Sequence, residues 1–275
     1  MGDTLRLTIL GCGSSPGTPR ITGDWGACDP ANPRNRRTRC AALVERIGPR
    51  GRTVVVIDCG PDFREQMLAA KVARIDAVLV THPHADHFHG LDDLRGYFLD
   101  SRQRVDLYAD APTYERLFEA FAYCFRTPPG SQYPPIVRHR LITPGEPFTI
   151  DGPGGPIEIQ PFAQVHGSIH SLGFRIGPFA YCSDVSDFPA AACEQIDGAE
   201  LLVIDALQYS THPSHLSLDE ALVWIKRLRM PNALLTHMHT PLDYATLCAA
   251  LPGHIRPAHD GLEIEFPMAN ELGAD

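Results

Sequence analysis

Apolar residues come in short runs along this chain, and most runs are closed by Gly, Pro, Asp or Asn. Runs of that length and punctuation read as β-strands. They predict strands over residues 5–10, 41–47, 53–57, 76–80, 105–108, 157–161, 174–176, 179–182, 201–204, 233–235 and 262–266. Helical spacing predicts helices over residues 62–70, 113–124, 217–229 and 242–251. In the third of these, Leu218, Ala221, Leu222, Ile225 and Leu228 fall on one face. The tetrad Ser217-Leu218-Asp219-Glu220 opens it as a capping box. Strands and helices interleave twice, on either side of a Pro- and Gly-rich stretch over residues 127–156. That stretch reads as long surface connections. Candidate site residues lie on both sides of it, so one domain over residues 1–275 is expected, built from two βα half-domains.

Composition narrows the class. The chain has 275 residues, 44% of them hydrophobic, as a soluble globular protein does. No apolar run is long enough to span a bilayer, and the N-terminus lacks the basic and apolar regions of a secretory signal. The eight cysteines form no C-x-x-C pair, and several lie within apolar runs. They read as small reduced thiols of a cytoplasmic protein rather than a disulfide framework. A net charge of −9 argues against a general nucleic-acid binder. The local exception, Arg34-Asn35-Arg36-Arg37-Thr38-Arg39, reads as a solvated basic loop, with phosphate contact as the sharper alternative.

The chemistry concentrates in His82-Pro83-His84-Ala85-Asp86-His87, on the loop leaving the apolar run Ala77-Val78-Leu79-Val80. Four of these six residues are metal-ligand types, and a strand end aims several ligands at one point. Further ligand types follow other runs: His166, Asp184 and His237, with Asp58 closing Val54-Val55-Val56-Ile57. A lone His or Asp after a strand is usually a turn residue. Their joint occurrence is not explained that way. The set divides between two divalent metal ions, zinc or manganese. His82, His84 and His166 take one, Asp86, His87 and His237 the other, and Asp184 bridges. Such a pair lowers the pKa of a shared water, so a hydroxide nucleophile exists at neutral pH. Asp58 is expected to orient a ligand imidazole from behind.

His215, just before the capped helix, is the candidate proton donor to a leaving group, with His212 as its competitor. Asp86 is counted with it as catalytic. His239 is expected either behind the ligands or at a separate structural metal. Arg36, Arg37, Arg95 and Arg126 are candidates for a second phosphate. The turn Gly11-Cys12-Gly13-Ser14-Ser15-Pro16-Gly17 lacks dinucleotide-fingerprint spacing.

These residues, in this order and at these strand ends, resemble the metallo-β-lactamase superfamily over essentially the whole chain. The opening Gly-rich turn, Trp25-Gly26, the Arg-rich loop to Cys40 and Leu235-Thr236-His237 are most similar to the PhnP-type phosphodiesterases. tRNase Z and the cofactor-biosynthesis protein PqqB are more distant likenesses. The resemblance implies an α/β fold, an αββα four-layer sandwich of two mixed β-sheets flanked by helices. It also implies a dinuclear hydrolase acting on a small phosphate ester, such as a cyclic nucleotide or ribose phosphate, with His215 as the leaving-group acid. Lactone or thioester hydrolysis on the same centre is the alternative, and a non-catalytic accessory role like that of PqqB ranks last. Two departures stand out. Only Cys28 occupies the loop where PhnP-type enzymes carry a zinc-binding cysteine cluster, and no tRNA-gripping arm is present. Neither a membrane nor tRNA is therefore expected as a partner, and a homodimer is an open expectation.

Overall fold

Strand β1 (Thr4–Gly11) shows how the alternation is used. Leu5, Leu7 and Ile9 point into the larger of two apolar clusters, and Leu10 into the smaller. In β3 (Gly51–Ile57), Val55 and Ile57 face the larger cluster while Val54 and Val56 face the smaller. A strand buried on both faces must be covered on both, which makes it an inner layer. The computed structural model of the chain describes residues 3–268.

Each of two sheets has seven strands. The first joins β1, β2 (Ala41–Gly48), β3, β4 (Ala77–Leu79), β5 (Val105–Ala109) and β6 (Val137–Leu141), with β14 (Leu262–Pro267) on the outer side of β1. The second joins β7 (Phe148–Ile150), β8 (Ile157–His166), β9 (Ile169–Ile176), β10 (Phe179–Cys182), β11 (Leu201–Asp205), β12 (Ala233–Thr236) and β13 (Ile255–Pro257) in chain order. Both are mixed. Pairings from β14 to β3 are antiparallel and from β3 to β6 parallel; those from β7 to β10 are antiparallel and from β10 to β13 parallel.

Helices close the outer faces. Phe63 and Met67 of α1 (Phe63–Ala69) and Leu117 and Cys124 of α4 (Ala111–Phe125) bury into the smaller cluster, joined by Tyr97 and Phe98 of α3 (Arg95–Ser101). The short α2 (Ala85–Phe88) adds Phe88. On the other side, α5 (Ala190–Ile196), α6 (Leu218–Arg227) and α7 (Tyr244–Ala250) bury Ile196, Ala221, Ile225 and Leu247. The layers therefore run helix, sheet, sheet, helix, as the resemblance implies. The Ser217–Glu220 capping box opens α6 as expected. No helix among the described residues is long and apolar enough to cross a membrane.

Residues 127–156 depart from expectation. They carry β6 and β7, which end the two sheets, and are not wholly surface connections. β6 reads Val-Arg-His-Arg-Leu with three exposed or half-exposed polar centres, so an edge strand there has no apolar signature.

Candidate metal centre

The site residues share one geometric origin: each leaves the C-terminal end of a strand. Asp58 follows β3, the run from His82 to His87 follows β4, and His166 ends β8. Asp184 follows β10, Asp205 ends β11 and His237 follows β12. β3 and β4 are parallel, as are β10, β11 and β12, so these ends open on the same rim. Open α/β sheets bind ligands in that crevice.

The backbone bends hard there. Asp58, Asp184 and His237 have φ of 65°, 48° and 56°, in the left-handed region that side chains with a Cβ rarely adopt. Among the described residues, the other non-glycine positions with positive φ are Lys71, Arg102 and Arg229. Each of those stands at the end of a helix, where this conformation is an ordinary terminator. At the three site residues it turns the side chain sharply out of the strand and over the rim.

The result is a converged set of candidate ligands. Ligand atoms of His82, His84, His166 and Asp184 lie within 4.8 Å of one another, and so do those of Asp86, His87 and His237. Asp184 joins the two groups. Its Oδ1 lies 3.2 Å from His87 Nε2; its Oδ2 lies 3.4 Å from His237 Nε2, 3.6 Å from His82 Nε2 and 3.8 Å from His166 Nε2. These are contact distances across a shared space, mostly too long for hydrogen bonds. His82 Nε2, His87 Nε2, His237 Nε2 and Asp184 Oδ1 are all buried without a hydrogen-bond partner among the described residues. Buried polar atoms are nearly always satisfied. Four orphans aimed at one space fit divalent cations, and imidazole with carboxylate is a donor set that zinc and manganese accept. His84 is exposed and Asp86 half-buried, so the centre opens on their side.

The layer behind the ligands is hydrogen-bonded. Asp58, fully buried, accepts from His87 Nδ1 at 2.7 Å and from Thr81 N at 2.8 Å. Asp58 thus stands directly behind the His87 ring. His166 Nδ1 donates to the Ser214 carbonyl at 2.7 Å, and Thr81 Oγ1 lies 3.0 Å from His82 Nδ1. Each contact turns Nε2 toward the centre. Charge follows position. Burial pushes His82, His84 and His166 down, His166 to about 4, so these imidazoles are neutral and ready to ligate. Burial also works against a charged His87, but Asp184, Asp58 and Asp86 outweigh it and hold its proton. Burial opposes ionised Asp184 and Asp86 too. The histidines around them win and keep both carboxyls well below the usual range.

His215 lies on this rim. Its Nδ1 donates to Asp205 Oδ2 at 2.7 Å, and its Nε2 stands 3.9 Å from Asp184 Oδ2. The ring stacks on His237 at 4.6 Å and meets His166 edge-on at 4.7 Å. Burial pushes Asp205 up and His215 down, both toward their neutral forms. Asp205 also accepts from Val185 N at 3.0 Å, which ties it to the Asp184 turn. Sequence reasoning passed over Asp205, although it closes the run Leu201–Asp205 just as Asp58 closes its own strand. His212, the competitor, is exposed and 5.1 Å from the His215 ring.

One expectation is corrected. Arg37 is not part of a solvated or phosphate-contacting face. It is 2% exposed, and its guanidinium bonds the Leu242 carbonyl at 2.5 Å and the His239 carbonyl at 3.3 Å, with Cys28 Sγ 3.9 Å away. A buried cation is tolerated because carbonyl oxygens surround it. His239 and Cys28 form no metal-ligand group among the described residues. Instead His239 Nδ1 bonds Ser14 Oγ at 2.8 Å and Nε2 accepts from Arg20 at 2.6 Å.

A profile of the beta-lactamase superfamily domain matches residues 53–238. In structure the chain is similar to a new diphosphatase from the PhnP family, with a TM-score of 0.85, 34% identity, and coverage of 96% of this chain and 97% of that one. It is also 34% identical over 264 residues to the octanoyltransferase of Porphyromonas gingivalis, covering 94% of this chain and 51% of that protein. This chain therefore spans about half the length of that relative. Zn(2+)-bound PqqB from Methylobacterium extorquens shares the fold, with a TM-score of 0.71 at 18% identity over 94% of this chain and 99% of that one.

Proposed function

The chain belongs to the beta-lactamase superfamily, and from that premise we propose that it is a dinuclear metal-dependent phosphodiesterase acting on a small nucleotide- or ribose-phosphate-like ester. The observation that carries this is the pair of ligand groups meeting at Asp184 with the Asp205–His215 pair beside them. Divalent cations held by those groups supply Lewis acidity and lower the pKa of water. The chain's own residues do the rest. Asp58, Thr81 and the Ser214 carbonyl hold the ligand rings in one tautomer and one orientation. Asp205 accepts a hydrogen bond from His215 Nδ1 and leaves Nε2 facing the centre. A proton carried at Nε2 is then available to a departing alkoxide, with Asp205 fixing the ring from behind. The similarity to a PhnP-family diphosphatase over nearly the full length of both chains supports phosphoester chemistry.

A second reading is favoured by the octanoyltransferase of Porphyromonas gingivalis: attack on an acyl thioester or lactone at the same centre. Its weakness is coverage. The name belongs to a protein about twice as long as the matched part, so acyl transfer has the other half to reside in. The test is a side-by-side assay of bis(4-nitrophenyl) phosphate, a lactone panel and an octanoyl thioester, with zinc or manganese added. Phosphodiester turnover that His84→Ala abolishes is expected. Thioester or lactone turnover without any phosphodiester turnover would replace the first reading with the second.

A further inference from the structure

Three consecutive residues of β9 fasten one hairpin to three different strand ends. His170 Nε2 donates to Asp110 Oδ2 at 2.6 Å, Ser171 Oγ to the Asp184 carbonyl at 2.7 Å, and Leu172 N to the Thr81 carbonyl at 2.8 Å. Asp184 follows β10 in the second sheet, whereas Asp110 follows β5 and Thr81 follows β4 in the first. β4 and β5 are parallel, so Asp110 stands on the same rim as the His82 loop. Two of the three bonds therefore cross from one sheet to the other. The hairpin's other strand is β8, where Val165 stands opposite His170 and His166 opposite Ile169.

The crossing matters because the first group of candidate ligands is itself split between the sheets. His82 and His84 come from the first sheet, His166 and Asp184 from the second. Thr81 is the residue before His82, and its Oγ1 lies 3.0 Å from that ring. The second group straddles the sheets as well, but a different stitch closes it. One residue beyond His237, Met238 N bonds the Cys12 carbonyl at 2.9 Å and Ser14 N bonds the Met238 carbonyl at 3.2 Å. Asp110 is a firm anchor for the first stitch. It is buried, and its Oδ1 accepts from Thr113 N at 3.0 Å as the N-cap of α4, which leaves Oδ2 to His170. A bond to a buried carboxylate is short and directional even though the imidazole that makes it is half exposed. Without His170 the crossing would fall to the Leu172–Thr81 main-chain bond.

We propose that His170 is a positioning residue: through Asp110 it fixes how the two sheets meet at the first metal position, and leaves the second to its own stitch. This rests on the dinuclear reading and deepens it by giving the two positions separate supports. The test is chelator competition on the full chain with zinc alone as the probe, which should give two stepwise affinities. The step that His84→Ala removes marks the first position. His170→Ala should weaken that step by about tenfold or more, as lost support behind ligands does, and leave the other within about threefold. His170→Gln carries an amide NH2 toward the place of Nε2 and should restore most of the loss. His139→Ala is the control for general damage. His139 Nε2 also bonds the end of β5, at the Ala109 carbonyl 3.0 Å away, but that contact stays within the first sheet. It should leave both steps unchanged. Should His170→Ala not fold, His170→Asn, too short to reach Asp110, takes its place. Equal weakening of both steps, weakening of neither, the same split in His139→Ala, or no rescue by His170→Gln would overturn the assignment while the dinuclear reading stands. A wild-type chain that takes up fewer than two zinc ions would overturn both.

Discussion

Asp58→Asn separates the stability of the centre from its capacity to ligate. Asp58 Oδ1 accepts from Thr81 N at 2.8 Å and Oδ2 from His87 Nδ1 at 2.7 Å, both fully buried. Asparagine keeps the first contact through its oxygen and turns an NH2 toward His87. The imidazole then accepts at Nδ1 and carries its proton at Nε2, the atom 3.2 Å from Asp184 Oδ1 and 3.5 Å from Asp86 Oδ2. Ligation at Nε2 would force the proton back to Nδ1, where two donors face each other. A buried donor left unsatisfied costs about 1–3 kcal/mol, or roughly 10- to 100-fold in affinity. The metal-free fold suffers less. One charge-assisted hydrogen bond is lost, at about 1.5–3 kcal/mol, but burial already pushes Asp58 up, and a neutral amide avoids that desolvation. The left-handed backbone at φ 65° also suits asparagine. The measurements are metal content per chain by plasma mass spectrometry after dialysis, competition against a chelator, and a urea melt of the metal-free protein. A folded Asp58→Asn protein that keeps both metals within threefold of wild-type affinity would refute the tautomer argument.

Three further outcomes are expected. His215→Gln should lower kcat on a phosphodiester by roughly 10²- to 10⁴-fold while metal content stays unchanged. Because Asp184, His215 and His237 also converge within 4.8 Å, loss of a metal in that variant would make His215 a ligand instead. The two metal positions should respond differently to pH. Protonation competes at His166 only near its pKa of about 4, and His82 and His84 are pushed down as well, so affinity there should be flat between pH 6 and 8. His87 is held protonated, so binding there releases a proton and affinity should rise by about tenfold per pH unit. Chelator competition at three pH values checks this, and two parallel flat profiles would contradict it. Gly60→Ala places a Cβ 1.9 Å from the Asp86 carbonyl oxygen, so it should destabilise by about 1–3 kcal/mol and also weaken metal binding by displacing α2. Gly96→Ala, in α3 with nothing within 4 Å, should instead be neutral or stabilising in the same thermal melt.

What the sequence disclosed and what it hid have a common physical basis. A buried strand is an apolar run with an abrupt end, so a polar residue at that end is conspicuous. This made His82, His166, Asp184 and His237 legible, and the same rule applied to Leu201–Asp205 reaches Asp205. Edge elements lack that contrast. β6 carries three consecutive polar residues, Arg138, His139 and Arg140, β7 has three residues, and β13 is Ile-Arg-Pro. Charge misleads for the converse reason. Arg37 looks solvated in a run of arginines, yet the loop ends around it offer the carbonyls of Leu242 and His239, which only the folded chain brings together. The ligand geometry is the deepest case. Asp58, Asp184 and His237 sit in a left-handed conformation that glycine would announce and that these residues do not. Each costs of order 1 kcal/mol or more and persists because its surroundings over-determine it. Asp58 N bonds the Leu79 carbonyl at 2.8 Å, Ser171 Oγ the Asp184 carbonyl at 2.7 Å, and Ala206 N the Thr236 carbonyl at 3.0 Å, just before His237. Residue types at strand ends therefore name the candidate ligands, but the bend that aims them comes from hydrogen bonds between strands distant in sequence.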